Sequence, residues 1–232
     1  MAGSSGFAAI RSVLSHPDYL NYMIGNACSH FGTWVQRVAV GWLTWELTES
    51  GAWLGIIAFA ELFPIMLLAP LGGAVADRVE RLPPIRLTQS LAMVQSVALC
   101  VLTYTGLISI YYLLGLAVFL GTVMAFNQPV RFAIVPSLVP REDLASAIGI
   151  SSLTFNFARV GGPAVAGFII VSWGVAPAFA FNAATFLIFL VTLFMIKGGR
   201  SKRRHVRTPI RNIPKEIMEG FRYCIRHPGI AP

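Results

Sequence analysis

The sequence predicts an all-helical membrane protein with six spans, and three observations carry that prediction. Hydrophobic residues make up 56% of the chain and charged residues only 12%, with a mean hydropathy of +0.68, whereas an ordinary soluble domain carries about 25% charged residues. Apolar stretches of about 20 residues, the helical length that crosses a hydrocarbon core of about 30 Å, recur along the chain. The net charge of +8 comes from Lys and Arg placed mainly in the segments between those stretches. A lipid-facing distribution explains that placement better than a nucleic-acid partner does.

The predicted spans run from Asp18 to Trp45, Ala52 to Ala76, Arg86 to Tyr104, Ser109 to Asn127, Leu144 to Trp173 and Ala176 to Ile196. They are read as helices because an unpaired strand in lipid leaves its backbone groups without partners. The first apolar run begins near Tyr19, carries Arg37 and lacks a small-residue cleavage pattern, so no removable signal peptide is expected and the first helix stays. Residues 1–17 then form a cytoplasmic N-terminus and residues 18–196 the bundle.

Orientation follows from the loops. The segments from Glu46 to Gly51, Thr105 to Ser109 and Ser172 to Val175 contain no Lys or Arg. Arg78, Arg81, Arg86, Arg131, Arg141 and the run after Ile196 occupy the alternate side. By the positive-inside rule both ends are expected in the cytoplasm, as in a multi-pass protein of a bacterial inner membrane.

Beyond the sixth span, Lys197, Arg200, Lys202, Arg203, Arg204, Arg207 and Arg211 make a basic linker over residues 197–213, suited to anionic headgroups. Ile213, Ile217, Phe221, Cys224 and Ile225 then recur at helical spacing, so residues 214–232 read as an amphipathic interfacial helix stopped by His227 and Pro228. Cys28, Cys100 and Cys224 lie far apart, supporting neither a disulfide framework nor a zinc site, and no cofactor is expected. The chain has no His-Glu-x-x-His helix, no Gly-Lys-Ser/Thr phosphate loop and no Gly-x-Ser-x-Gly elbow, so it is not read as an enzyme.

Two motifs carry a resemblance. Gly73, Asp77, Arg78 and Arg81 after the second span match the Gly-x-x-x-Asp-Arg-x-Gly-Arg loop of the major facilitator superfamily, with Glu80 where the family often has Gly. A charged latch against neighbouring helix ends is one reading of that loop, and a charged turn that merely sets topology is the other. In the fifth span, Gly162, Pro163 and Gly167 resemble the Gly-Pro-x-x-Gly-Gly segment of proton-coupled exporters, with Ala166 replacing one glycine. Small residues there allow tight packing and Pro163 removes a backbone donor and bends the helix; the alternative is an ordinary kinked packing helix. The stretches from Gly32 to Trp42, from Val135 to Leu144 and from Glu219 to Tyr223 also look like the exporter branch that includes the enterobactin and macrolide efflux proteins.

The resemblance implies the N-terminal half of the superfamily fold, two three-helix repeats, with a C-terminal six-helix half as the missing partner. It implies secondary active, proton-coupled efflux of a small amphipathic compound, drug or siderophore-like, by alternating access. A lysophospholipid flippase of the same superfamily and a transport-inactive membrane scaffold are the alternatives.

Three ionisable residues fall within spans. Arg37, Glu61 and Arg159 are costly in lipid and are expected to face protein or water. At about 1.5 Å per residue Arg37 and Glu61 lie at the same level, able to pair, and Arg159 lies closer to the midplane. Either Glu61 exchanges a proton as Arg37 or Arg159 holds and releases its charge, or Arg37 and Glu61 form a permanent ion pair that fixes packing. In the superfamily the first and fourth helices line the central cavity, so the resemblance favours Gln36 and Asn127 as lining, among the polar candidates Asn26, His30, Gln128 and Asn156. Membrane lipids, the small-molecule substrate and the proton are the other expected partners.

Overall fold

The computed structural model describes residues 6–76 and 78–196, and they form seven helices: α1 Gly6–Leu14, α2 Pro17–Thr48, α3 Gly51–Ala76, α4 Leu82–Tyr104, α5 Ile110–Leu138, α6 Leu144–Trp173 and α7 Ala176–Met195. Asp77, the basic linker and the amphipathic segment expected over residues 214–232 lie outside the described residues.

Local chemistry sets the boundaries. Pro17 opens α2 at a position where a missing backbone donor costs nothing. At its other end Glu49 turns left-handed, with φ 47°, and its backbone N–H donates to the Trp45 carbonyl. The Ser109 hydroxyl accepts from the Tyr112 backbone N–H and caps α5. Gly174, with φ 89°, closes α6 by donating to Ile170.

Helices α3 to α7 are each long and apolar enough to cross a membrane. Helix α2, the first predicted span, is 32 residues long but too polar to meet that measure by composition alone. The reason is where its polar residues point. Asn26, Ser29 and Gln36 are buried with Tyr22, Gly25, Gly32 and Ala39 along one inward face, so they meet protein rather than lipid.

The N-terminal segment carries a helix of its own, α1, which docks on the start of α6. Val13 is fully buried, and Ser12 Oγ and His16 Nε2 each lie 3.0 Å from Asp143 Oδ2. The fourth span does not end at Asn127; α5 runs on through Pro129 and Pro136 to Leu138. Proline inside a membrane helix is tolerated where neighbouring helices re-satisfy the freed backbone groups. Arg131, assigned above to a loop, is therefore inside the bundle.

Successive helices interleave: α3 packs mainly on α5, α2 on α7 and α6, and α4 on α7 and α5. Glycines make the closest approaches possible. A Cβ on Gly32 would collide with Thr185 and Asn182 of α7, and one on Gly121 would strike the Glu61 carbonyl of α3. One apolar cluster holds Tyr19, Ile85, Ile134, Phe189 and Leu193, and another holds Val35, Leu43, Leu99, Leu113 and Phe179. Along α4 and α7 the buried polar residues lie between these two clusters.

Candidate functional site

The sequence-predicted residues fall into three groups. In the first, Arg37 of α2 reaches Glu61 of α3: Nη2 donates to Oε1 at 2.9 Å and Nε to the same oxygen at 3.3 Å. The Glu61 side chain is 17% exposed and that of Arg37 41%. Both line a crevice of about 290 Å³ between α2 and α3, and both also border a second crevice of about 20 Å³ that reaches Gln36, Gln95 and Leu120. The pair thus borders both a crevice and a small gap inside the bundle. Arg37 also lies 5.1 Å from the centre of the Trp34 ring, and Arg159 of α6 lies 5.8 Å from the same ring. In this conformation Arg37, not Arg159, holds the carboxylate.

The second group is a buried amide network. Gln36 Nε2 donates to Gln95 Oε1 at 3.0 Å, while its Oε1 accepts from Ser96 Oγ at 2.6 Å and Asn182 Nδ2 at 2.8 Å. Three helices are tied at one side chain. Asn127 Nδ2 donates to Thr88 Oγ1 at 2.7 Å. Gln36 and Asn127 are 2% and 1% exposed, so both act here as cross-helix ties.

The third group forms a cavity of about 730 Å³ between α2, α5 and α6. Asn26, His30, Gln128 and Asn156 line it, as do Tyr22 and Phe155. Gln36 and Asn127 are not among its lining residues. His30 packs edge-on against Phe155 with ring centres 5.3 Å apart.

Arg131 is the residue that sequence reasoning missed. It lines this cavity, yet is only 7% exposed. Its Nη1 donates to Asn26 Oδ1 at 3.2 Å; its Nη2 donates to Ser29 Oγ at 2.7 Å and Gln89 Oε1 at 2.9 Å. The guanidinium also lies 4.8 Å from the Phe189 ring centre. A signal existed: Val130, Ile134, Val135 and Leu138 continue the apolar face past Pro129.

At the ends of the bundle, Arg78 Nη1 donates to the Ala74 carbonyl at 3.3 Å, and Arg81 stands at the N-cap of α4. Among the described residues, no atom lies within 4 Å of a Cβ built on Gly73. In α6, a Cβ on Gly162 would strike Trp34, whereas Gly167 faces open space and Pro163 lies within the helix.

Residues 8–230 match the family described as transmembrane secretion effector, nearly the whole chain. The chain belongs to that family. Among curated relatives of this secretion-effector chain, the staphyloferrin A transporter of Staphylococcus aureus (strain NCTC 8325 / PS 47) is 31% identical over 158 residues, covering 68% of this chain and 40% of the relative. The enterobactin exporter EntS of Shigella dysenteriae serotype 1 (strain Sd197) is 29% identical over 194 residues, 81% of this chain and 43% of the relative. A peptide transporter POT solved in complex with alafosfalin superposes with a TM-score of 0.69 at 15% identity, over 96% of this chain and 49% of that one. That likeness shows the fold: this chain has the architecture of half a transporter of this kind. It spans less than half the length of each of these two curated relatives.

Proposed function

We propose that this chain is the amino-terminal half of a proton-driven exporter that moves a small amphipathic compound across the inner membrane by alternating access. Membership of the secretion-effector family supports a transport role, and relatives named for staphyloferrin A and enterobactin support a siderophore-like or drug-like cargo. The observation that carries the coupling is the Arg37–Glu61 pair at 2.9 Å, bordered by two crevices.

Its chemistry suits a carrier of protons. Arg37 pairs the charge of Glu61; when a shift of α2 against α3 draws the guanidinium away, a proton from the side then open replaces it as the partner of Glu61. Return of Arg37 expels that proton to the other side. Trp34, which faces both Arg37 and Arg159, gives the displaced guanidinium a surface, and Arg159 is the alternative cation for Glu61.

The loop residues Gly73, Asp77, Arg78 and Arg81 act as a latch on one conformational state, and Gly162, Pro163 and Gly167 let α6 pack tightly and bend. Both ends of the chain lie in the cytoplasm. Residues 18–196 are the bundle, and the basic run of residues 197–213 and the segment 214–232, both outside the described residues, connect it to a second six-helix half. Gln36 and Asn127 belong to the pathway as ties that hold its walls.

Proteoliposomes holding the complete two-half transporter test this reading. Glu61→Gln is expected to lower substrate-driven proton movement by about 100-fold, equivalent to about 2.7 kcal/mol. Coupling that survives the substitution removes Glu61 from the proton path. The chain without a partner half encloses no complete path and is expected to show no net flux. A second reading, a lysophospholipid flippase, is supported by the apolar wall of the large cavity, where Phe132 is 77% exposed.

A further inference from the structure

The large cavity carries a charge that its surroundings do not neutralise. Among the described residues, Arg131 is the one charged side chain that lines it, and no Asp or Glu does. Among the described residues, each hydrogen-bond acceptor of the guanidinium, on Asn26, Ser29 and Gln89, is neutral, and its Nε is buried without a partner. Hydrogen bonds from neutral groups orient a cation but do not cancel its charge. A cation kept this deep among helices that cross lipid is costly, and an anion is what offsets that cost.

The cavity around it has two kinds of wall. Asn26 lines the cavity beside Arg131 and holds it by the longest of the three hydrogen bonds, 3.2 Å. An acidic group entering there takes the acceptor place of a neutral amide. Phe132, Phe155 and Ile148 supply an apolar surface for the rest of the ligand. At about 730 Å³ the cavity falls within the range of about 300–1,000 Å³ usual for small-molecule sites.

We propose that the cavity between α2, α5 and α6 is a binding site for an amphipathic monoanion, with Arg131 receiving the acidic group and the aromatic wall receiving the apolar body. The site deepens the export reading by naming the chemical class of the cargo, and rests on that reading only for the step from bound to transported.

The test is calorimetric titration of this chain in phosphatidylcholine nanodiscs with 2-naphthoate, neutral 2-naphthamide and cationic 2-naphthylmethylammonium, with empty nanodiscs subtracted. The carboxylate is expected to bind about tenfold tighter than the amide, and the amine more weakly still. Arg131→Gln is expected to bring the three within about twofold of one another. Because that substitution unpairs several buried groups and risks the fold, Asn26→Asp is the second variant. It keeps the side-chain shape, places a carboxylate within reach of the guanidinium, and is expected to remove the carboxylate preference in a fully folded protein. Equal affinities for the three probes, or a preference for naphthoate that survives either folded variant, overturn the proposal.

A second arm distinguishes the source of the acid. If phosphatidylglycerol in the nanodisc displaces naphthoate from the native chain, the acidic group is a lipid headgroup; if it does not, the anion enters from water. Both results keep an anion site at Arg131. These measurements need no proton gradient, so loss of the site leaves proton-linked export standing, and absence of export leaves the site standing.

Discussion

Arg37 and Arg131 both bring a guanidinium into the helix bundle, on opposite terms. Arg37 is 41% exposed at its side chain and holds the carboxylate of Glu61; Arg131 is 7% exposed overall and holds only neutral oxygens. Both engage α2, at levels separated by about 16 Å between Asn26 and Arg37. A cation with a titratable partner beside two crevices can change partners and move a proton. A cation fixed among neutral acceptors keeps its charge and offers it to whatever enters the cavity. The difference teaches that a buried charge is read from its partners more than from its depth.

The widest contrast lies in stability. Arg131→Leu leaves Asn26, Ser29 and Gln89 each short of a donor and is expected to cost about 3 kcal/mol, while Arg37→Leu, whose ion pair is partly exposed, is expected to cost about 1 kcal/mol. Chemical unfolding of both variants in the same detergent micelle measures this. Equal losses would erase the distinction between the two arginines.

A smaller effect is expected at Gln36, whose side chain meets Gln95, Ser96 and Asn182. Gln36→Leu is expected to cost about 2 kcal/mol, because the three partners stay buried and lose matched bonds. A cost near zero would mean that water re-satisfies those partners, and that the network borders an open path rather than a dry seam.

How much of this was legible beforehand follows from the same residues. Helices α3, α4, α6 and α7 could be read from their apolar runs because lipid demands that every backbone group be satisfied within the span. The level of Arg37 with Glu61 was legible because consecutive antiparallel helices put residues equally far from their shared loop at one depth. Arg131 was not, because Pro129, two residues before it, reads as a helix end in water and does not end one here. Nor could spacing tell that Gln36 and Asn127 turn toward neighbouring helices while Asn26 and His30 turn toward the cavity. All four are polar residues on helices, and only the packing of α2 against α5, α6 and α7 separates them.

Trp34 supplies the smallest and most discriminating effect. Its ring stands within cation–π range of Arg37 on its own helix and of Arg159 on α6. Trp34→Leu keeps an apolar side chain against Gly162 but removes both cation–π contacts and the edge contact with Phe155, and is expected to cost about 1 kcal/mol in all. The double-mutant cycle of Trp34→Leu with Arg159→Gln is the sharper measurement. If the indole serves as the surface onto which Arg37 moves when it leaves Glu61, removing it slows proton-linked flux with Arg159 present or absent. If the ring merely packs, flux is unchanged and only the unfolding midpoint falls. A flux defect that appears only while Arg159 is present would instead assign the second cation, rather than the ring, to the exchange at Glu61.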